Sequence, residues 1–351
     1  MELEELRERI ADVDARITDL MAERMELGRM IGEIKAESNS PVRVIDAENR
    51  VIERYRKMAA EKGLDPDNAE TVGRIFMQES IENQAALPRA GGSPMGISIV
   101  GGSGKMGAWF AELLTGAGHT VRIIDPSSGN GLVLEDAEDS DAVIVSVPIS
   151  AAEGVLKALD GICREDALIF DITSLKSPLV ESLREMGSRR KVCSVHPMFG
   201  PSAKSMFARN LVFCDCGSDT AVEEAMALLD NHGADMVRIP VEEHDRYMSY
   251  VLGLSHAVNI AFFTVLERSG IPYQEMRKVA STTFSKLMDT NESVALEDPD
   301  LYYEIQHLNA YREEIMDAFD GSVEDVVSSA LSDDPEGFRE LMDKGRKYFS
   351  E

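Results

Sequence analysis

Hydrophobic positions in the first quarter of the chain recur with the spacing of an amphipathic helix. Apolar side chains step by alternating threes and fours, at Leu3, Leu6, Ile10, Val13, Ile17, Leu20, Leu27, Ile31 and Ile34. This seam predicts one long helix that ends near Ser38, Asn39 and Pro41. Two more helices are expected over about 46–62 and 68–86, so residues 1–87 are predicted to form an all-α bundle. A Pro/Gly-rich linker follows at 88–96.

From residue 97 the pattern changes to short β-branched runs separated by helical or loop segments. The runs are "ISIV", "TVRIID", "AVIVSV", "ALIFDI", "KVCSV", "LVFCDC" and "MVRI". Nearly continuous apolar strands favour a parallel sheet covered on both faces, so an α/β Rossmann domain is predicted over 97–240. The helical pattern then returns, and residues 241–351 are predicted to form an all-α domain for substrate binding and dimerisation. A multidomain chain is therefore expected.

Composition and charge exclude several classes of function. The chain has 351 residues and a formal net charge of −27, which disfavours nucleic acid because such partners require a basic surface. The beginning, "MELEELRERI", lacks the apolar core of a secretory signal, and the apolar stretch "HAVNIAFFTVL" is shorter than a bilayer span requires. The four cysteines have no paired C-x-x-C spacing, so neither a zinc site nor a disulfide framework is expected. A cytoplasmic protein without membrane contact or bound metal is predicted.

One position in the first helix breaks its apolar seam. Extending the seam predicts an apolar side chain where the sequence has Arg24, and Lys35 projects from nearly the same face three turns later. Ser80 and Gln84 form an i, i+4 pair on one face of the third helix. Arg7 lies about 25 Å from Arg24 along the helix, so two antiparallel copies, but not one chain, can bring both to a small ligand. The pattern predicts a homodimer whose shared site binds an anion, preferably a dicarboxylate.

These residues carry a resemblance to a known family. The segments "LRERI", "AERMELGRMIGEIK", "PVRVID" and "ESIENQ" are similar to the all-helical chorismate mutases over the whole of 1–87. The resemblance implies that Arg24, together with Arg7 from the partner chain, holds the two carboxylates of chorismate. It also implies that Glu48 and Ser80 lie near the ring hydroxyl and a carboxylate.

The rearrangement of chorismate suits these residue types. By the resemblance, Lys35 and Gln84 hydrogen-bond the ether oxygen as its C–O bond breaks. A pericyclic reaction needs no nucleophile, only a clamped reactive conformer and cations where negative charge develops. The family often has an Asp and an Arg where this sequence has Val44 and Ala47, which affects contacts to the ring hydroxyl. A helical domain that only dimerises is the alternative to an active mutase.

The segment "ISIVGGSGKMG" over 97–107 has glycines in G-x-G-x-x-G spacing, at Gly102, Gly104 and Gly107. They follow an apolar strand and precede a helical segment, the context in which this motif indicates dinucleotide binding. The predicted cofactor site also includes the other turn residues, Ser103, Lys105 and Met106. Asp125 ends the next strand, where a carboxylate accepts from ribose hydroxyls and repels a 2′-phosphate. NAD is therefore preferred over NADP.

A lone histidine follows the strand "KVCSV" at the start of a Pro/Gly-rich turn. This residue, His196, is expected at the carboxyl end of its strand, where doubly wound sheets bind their ligands. Ser174 follows another strand, and His244 and His256 are expected on one long helix beyond the sheet. Histidines and a serine around a nicotinamide suggest proton removal coupled to hydride transfer. A histidine satisfied within the core is the alternative interpretation.

This half of the sequence resembles a second family. The segments "GGSGKMG", "VIVSVPIS", "FDITSLKS", "SVHPMFGPS", "EEHDRYM" and "DPDLYYEIQ" occur in the order found in prephenate dehydrogenases, over about 97–315. The resemblance implies that His196 hydrogen-bonds or deprotonates the ring hydroxyl of prephenate as hydride passes to NAD. Loss of CO2 then gives 4-hydroxyphenylpyruvate. Ser174 would orient His196 and the hydroxyl, while His244 and His256 would contact the substrate.

Together the resemblances imply a bifunctional enzyme of tyrosine biosynthesis, in which the product of the first domain is the substrate of the second. The dehydrogenase family usually has a substrate-binding arginine where this chain has "TNESVALEDP", so Lys286 or Arg312 is a candidate replacement and arogenate an alternative substrate. Apolar side chains expected to pack across a two-fold axis are Leu252, Val258, Phe262 and Val265. A sensor that binds NAD and an anion without turnover is the alternative from another class.

Overall fold

The computed structural model describes residues 2–38, 40–85, 87, 93–230 and 232–350. The chain forms two compact units. Unit one comprises 1–147, 151–173 and 181–239, and unit two comprises 148–150, 174–180 and 240–351. Most of the predicted linker, residues 88–92, lies outside the described residues, as does Asn39 at the predicted end of the first helix.

Unit one begins with three helices, as the hydrophobic pattern predicts: α1 (Leu3–Glu37), α2 (Ile45–Glu61) and α3 (Pro66–Ala85). Both α1 and α2 pack against α3. The buried residues of α1 are all small, namely Gly28, Gly32 and Ala36. Its apolar seam is exposed in the single chain, with Ile10 60 % and Leu20 62 % exposed. The long helix therefore uses its small residues within the chain and leaves its large apolar residues uncovered.

The rest of unit one is a seven-stranded sheet with the order β2-β1-β3-β4-β5-β6-β7. The strands are β1 (Gly96–Val100), β2 (Thr120–Ile124), β3 (Ala142–Val145), β4 (Leu168–Asp171), β5 (Val192–Pro197), β6 (Asn210–Asp215) and β7 (Asp235–Pro240). The connecting helices are α4 (Lys105–Gly116), α5 (Ile149–Ile162), α6 (Val180–Gly187) and α7 (Asp219–Leu229). The main core joins fully buried side chains of the sheet, such as Ile97, Phe170 and Phe213, to those of α4 and α7. All seven apolar runs are strands.

The order of the strands reverses at β1, which pairs in parallel with β2 on one side and β3 on the other. Ligands of doubly wound sheets bind outside the carboxyl ends of the strands at such a point. β4 and β5 continue the parallel part, but β6 runs antiparallel to β5, so the prediction of a wholly parallel sheet is wrong there. The connection 198–209 contains no helix, and an antiparallel neighbour requires no helical crossover.

Unit two is dominated by helices. α8 (Val241–Met248) continues through a π-helical stretch (Ser249–Leu254) into α9 (Ser255–Arg268). Further helices are α10 (Tyr273–Lys278), α11 (Thr282–Ala295), α12 (Pro299–Leu308), α13 (Arg312–Leu331) and α14 (Glu336–Tyr348). The prediction of one long helix carrying His244 and His256 is confirmed.

The continuous helix Val241–Arg268 has 28 residues and is long and apolar enough to cross a membrane, by length and composition alone. The expectation that its apolar stretch is too short is therefore wrong, because the π-helical stretch joins α8 to α9 without a break. Only 22 % of the most apolar 18-residue segment of this helix is buried within the chain. Exposed side chains on it include Val251, Val258 and Val265.

Candidate active sites

A cavity of about 310 Å³ lies among the three N-terminal helices and contains most of the predicted anion-binding residues. Five of them line it: Arg24 and Lys35 from α1, Glu48 from α2, and Ser80 and Gln84 from α3. Arg7 does not line this cavity, since it is exposed on α1 and pairs with Glu4 at 3.1 Å. That separation agrees with the expectation that one chain cannot bring Arg7 and Arg24 to one ligand.

Backbone carbonyls hold the two α1 cations of the cavity in place. Arg24 donates to the carbonyl of Phe76 at 2.8 Å, and its guanidinium carbon lies 5.2 Å from the centre of the Phe76 ring. Lys35 Nζ donates to the carbonyl of Val42 at 2.7 Å. Both side chains are half-buried, so their charges act in a partly desolvated space.

The polar pair on α3 is also formed. Gln84 Nε2 donates to Ser80 Oγ at 3.1 Å, and both residues are buried. Gln84 Oε1 is buried and has no hydrogen-bond partner among the described residues. Turning the amide by 180° would let Oε1 accept from the Ser80 hydroxyl and would present the NH2 group to a ligand.

Two glycines of α1 allow this helix to approach the polar pair. A Cβ at Gly28 would lie 2.3 Å from Ser80 Oγ. A Cβ at Gly32 would lie 2.6 Å from Gln84 Cγ and 2.8 Å from Leu87 Cδ1. Only glycine fits at these positions without displacing the side chains that line the cavity.

Sequence reasoning missed one cation of the cavity, Arg54 on α2. Val44 and Ala47, where the family often has polar residues, also line the cavity. Arg54 lies seven residues after Ala47, which is two turns along the same helical face. This spacing is the sequence signal from which Arg54 could have been predicted to face the cavity. Among the described residues no hydrogen bond or ion pair engages Arg54.

The glycine turn after β1 is compact. Gly101, just before the motif, has φ +80°. A Cβ at Gly102 would lie 2.9 Å from Ile123, and one at Gly107 would lie 2.5 Å from the carbonyl oxygen of Gly101. Gly104 begins α4 as its N-cap, so the first amides of this helix are left without intrahelical partners, as anion binding requires. Ser103, Lys105 and Met106 complete the turn, and this close-packed cradle fits a dinucleotide phosphate.

Asp125 follows β2 and connects it to the glycine turn. One carboxylate oxygen accepts from the Ser103 amide at 3.1 Å, and the other accepts from the amide and hydroxyl of Ser127 at 2.8 and 2.6 Å. The bonds from Ser127 and Ser103 hold the pKa of Asp125 below its ordinary value. The carboxylate therefore stays ionised at neutral pH and retains lone pairs for ribose hydroxyls.

His196 lies near the end of β5, at the same edge of the sheet as the glycine turn. The register places Val100, Val145, Asp171 and Ser194 side by side across β1, β3, β4 and β5. His196 lies two residues beyond Ser194, and the glycine turn begins directly after Val100. Both features therefore lie at the carboxyl edge of the parallel strands. His196 is 4 % exposed.

In unit two, one buried carboxylate, Asp245, binds His244 and the segment that follows Ser174. Its Oδ2 accepts from the Ser177 amide at 2.6 Å, and its Oδ1 accepts from the Lys176 amide at 2.8 Å. His244 Nδ1 lies 2.6 Å from Asp245 Oδ1. Burial alone would raise the pKa of Asp245, but the bonds from His244, Ser177 and Lys176 hold it below its ordinary value. Asp245 thus fixes both His244 and the segment that starts at the half-buried Ser174, and sequence reasoning missed it.

His256 is buried on the long helix of unit two and stacks on Tyr302, with ring centres 4.2 Å apart. Its Nδ1 has no hydrogen-bond partner among the described residues. Burial lowers the pKa of His256 to about 4, so the ring is neutral at pH 7. A neutral imidazole can offer either a donor or an acceptor to a ligand.

The two candidate replacements for the missing arginine differ in their surroundings. Lys286 is exposed on α11. Arg312 lines a separate shallow pocket of unit two with Tyr303 and His307, and its guanidinium lies 3.6 Å from Glu313. Among the described residues of unit two, no hydrogen bond or ion pair joins either one to His256. Within the same described ranges, no cluster of three or more His, Cys, Asp or Glu side chains could hold a metal ion.

The sheet, its glycine turn and the histidine at the strand end define a nicotinamide-dependent dehydrogenase. The same chain begins with a helical domain that contains a cation-lined cavity. Family models agree with both parts. Residues 6–85 match chorismate mutase type II, 116–238 match the nucleotide-binding domain of prephenate dehydrogenase, and 240–344 match its dimerization domain.

Relatives of similar length cover both parts at once. The chain is 30 % identical to the T-protein of Enterobacter agglomerans over 310 residues, which cover 87 % of this chain and 81 % of that protein. It is 27 % identical to the T-protein of Haemophilus influenzae over 352 residues, 99 % of this chain and 93 % of that protein. The chain belongs to the bifunctional chorismate mutase–prephenate dehydrogenase family. It is an enzyme of tyrosine biosynthesis that rearranges chorismate and oxidises prephenate with NAD.

A solved structure supports the fold. The prephenate dehydrogenase of A. aeolicus, in complex with hydroxyphenyl propionate and NAD+, aligns with a TM-score of 0.55 at 21 % identity. The alignment covers 74 % of this chain and all of that chain. At this identity the likeness concerns the fold alone, which is a Rossmann sheet followed by a helical domain.

Proposed function

We propose that the cavity of the N-terminal helices is the chorismate mutase active site. The observation that carries the proposal is that one cavity gathers Arg24, Lys35, Glu48, Ser80 and Gln84 from three helices. Arg24, Arg54 and an Arg7 contributed by a second copy of the chain would hold the carboxylates of chorismate. Glu48 would accept from the ring hydroxyl, while the Ser80 hydroxyl, near a carboxylate, would donate to Gln84 Oε1.

Lys35 and Gln84 would act on the ether oxygen. Negative charge grows on this oxygen as the C–O bond breaks, so an ammonium and an amide donor bind the transition state more strongly than the substrate. The buried amide of Gln84 supports this role, because it can present its NH2 group once its oxygen accepts from Ser80.

The dehydrogenase half of the proposal centres on His196. We propose that His196 removes the proton of the prephenate ring hydroxyl, because its side chain is buried at the edge of the sheet where the glycine turn also lies. Bound NAD supplies the hydride acceptor. As the ring carboxylate leaves as CO2, the electron pair of the broken C–C bond enters the ring and makes it aromatic, and the oxygen that gave up its proton takes one back to become the phenol.

Ser174, His244 and His256 are proposed to bind and orient prephenate. Asp245 supports the role of His244, because its bond to Nδ1 fixes the orientation of the ring. The neutral state of His256 suits a hydrogen bond to the substrate's side chain rather than an ion pair. Gly102, Ser103, Gly104, Lys105, Met106 and Gly107 are proposed to bind the pyrophosphate of NAD, and Asp125 its ribose.

Two apolar faces support a homodimer. One is the exposed seam of α1, and the other is the exposed side of the long helix of unit two, within the segment matched to a dimerization domain. We propose that both faces pair with a second copy, which would also deliver Arg7 to the mutase cavity. Because NAD and charged dicarboxylates are cytoplasmic solutes, we propose that the enzyme works in the cytoplasm.

A coupled assay on the full chain tests the proposal. Chorismate and NAD together are expected to give NADH without added prephenate, and prephenate with NAD is expected to give it directly. NADH from prephenate but not from chorismate would contradict the mutase assignment. No NADH from either substrate would contradict the dehydrogenase assignment.

Replacing Gly32 with alanine should impair the mutase alone. The new Cβ would lie 2.6 Å from Gln84 Cγ and 3.1 Å from Gln84 Cβ, so this side chain must move. We expect mutase kcat to fall about ten-fold, since a misplacement of about 1 Å can cost up to 10²-fold. Chorismate consumption measures the effect. Gly321→Ala, a helical glycine with open space around it, is the matched control, and equal mutase rates in both variants would refute the prediction.

Replacing Asp125 with serine should change the cofactor preference. Removing the carboxylate removes its repulsion of a 2′-phosphate and its bonds to the ribose hydroxyls. We expect the ratio of kcat/KM for NADP to that for NAD to rise by about 10–100-fold, as the loss of one close like-charge contact implies. Initial rates of dehydrogenation with each cofactor measure it. Asp166→Ser, which removes an exposed aspartate of the same unit, should leave the ratio unchanged.

A further inference from the structure

The mutase cavity is connected to the nucleotide-binding sheet by one arginine, Arg43. This residue lies just before α2, outside the cavity lining. Its Nε donates to Glu48 Oε1 at 3.1 Å, and Glu48 lines the cavity. Its Nη1 donates to Asp235 Oδ1 at 2.9 Å, and Asp235 is the first residue of β7. One guanidinium thus joins a cavity carboxylate to a carboxylate of the sheet.

The ring of Phe207 fixes the guanidinium from a second direction. The Arg43 guanidinium carbon lies 5.5 Å from the centre of this ring. Phe207 belongs to the connection between β5 and β6, and the next residue, Ala208, has φ +53°. The Phe207 amide donates to Ser205 Oγ at 3.2 Å and the Ala208 amide donates to the Gly233 carbonyl at 3.0 Å, so the backbone at Phe207 is held on both sides. Arg43 is 29 % exposed, which keeps its ion pairs partly screened from water.

The same part of the sheet also supports other walls of the cavity. Phe207 packs against a cluster of Val42, Ile81 and Ala85, of which Val42 and Ile81 line the cavity. The carbonyl of Val42 is the acceptor that holds Lys35. The side of the cavity that contains Glu48 and Lys35 is therefore supported by residues outside the mutase domain of 1–87.

We propose that Asp235 and Phe207 complete the mutase site by holding Arg43, which is a positioning residue for Glu48. This inference rests on the mutase cavity proposed above. Arg43 can span the two carboxylates because a guanidinium presents several donors in a fixed planar fork, whereas an ammonium is a point charge. The mutase therefore depends on the dehydrogenase sheet for the geometry of its contact with the ring hydroxyl.

Mutase kinetics of the full chain test this dependence. Glu48 would contact the ring hydroxyl in the substrate and in the transition state alike, so its misplacement should raise the KM for chorismate more than it lowers kcat. We expect Asp235→Ala to raise this KM about two- to five-fold, as the loss of a partly exposed ion pair implies. Arg43→Ala should raise it about ten-fold, because a charge-assisted bond to Glu48 is lost as well.

Three further variants make the result specific. Asp235→Glu should raise the KM for chorismate less than Asp235→Ala does. Arg43→Lys should still give a KM above that of the parent. Asp139→Ala removes a comparable ion pair of the same unit, to Arg122 at 2.7 Å, and should leave the mutase unchanged. Dehydrogenase kcat and KM with prephenate should remain within about two-fold in every variant, which shows that the chain is folded.

The outcomes separate this inference from the proposed function. An unchanged KM in both Asp235→Ala and Arg43→Ala would overturn the inference. A lower kcat with unchanged KM would also overturn it, because that pattern indicates fewer folded molecules rather than a displaced Glu48. Glu48→Ala is the reference: if it too leaves mutase kinetics unchanged, the proposed role of the cavity carboxylate fails first.

Discussion

Replacing His196 with asparagine is expected to lower the dehydrogenase kcat by about 10²–10⁴-fold, the contribution that a positioned general base makes. Asparagine is of similar size and keeps a hydrogen-bonding side chain, but it cannot take the hydroxyl proton at neutral pH. The KM for NAD should change little, since the glycine turn and Asp125 make the cofactor contacts proposed here. NADH absorbance with prephenate as substrate measures the effect.

The mutase provides an internal control for the His196 variant. Chorismate consumption should proceed at the rate of the unmodified enzyme, and prephenate should accumulate in the presence of NAD. His307→Asn, which removes an exposed histidine, should retain dehydrogenase activity. A His196→Asn variant with kcat within ten-fold of the parent would leave His196 with a packing role only.

The sequence predicted the parts of the molecule that depend on local pattern. The long apolar seam of α1, the seven strands and the glycine turn all follow from periodicity and from residues close together in the chain. The gathering of Arg24, Lys35 and Gln84 could also be expected, because helical spacing places their side chains on definite faces.

The features that sequence reasoning missed depend on contacts between distant segments. Asp245 meets the Ser177 amide across 68 positions of the chain, and Arg43 meets Asp235 across 192. No local period encodes such pairs. The antiparallel β6 was missed for a related reason, since an apolar run fits a buried strand of either direction.

Two of the missed contacts have the same physical effect, because each fixes the orientation of a side chain. Glu48 and His244 are both proposed to contact a small ligand, which requires a defined orientation, and each is held by an oppositely charged or polar neighbour. Charge-assisted bonds of this kind are shorter and stronger than neutral ones, so they hold a side chain in a defined orientation. Arg43 and Asp245 are such partners, so they are expected to affect activity without touching a substrate.

Replacing Arg24 with alanine is expected to lower mutase kcat/KM by about 10²–10³-fold. The side chain is proposed to hold a substrate carboxylate in a partly desolvated cavity, and removing one partner of a buried charge pair costs about 2–5 kcal/mol. Chorismate consumption by the full chain measures the loss. Prephenate oxidation should be unaffected, so NADH formation should stop with chorismate but continue with prephenate.

Arg50→Ala is the matched control for Arg24→Ala, because Arg50 is an exposed arginine of the same helical domain that does not line the cavity. Its mutase rate should equal that of the parent. Arg24→Lys should recover only part of the activity, since an ammonium keeps the charge but loses the two parallel bonds to a carboxylate. If Arg24→Ala and Arg50→Ala lose activity equally, net charge rather than a carboxylate contact governs the rate, and the cavity is not the chorismate site.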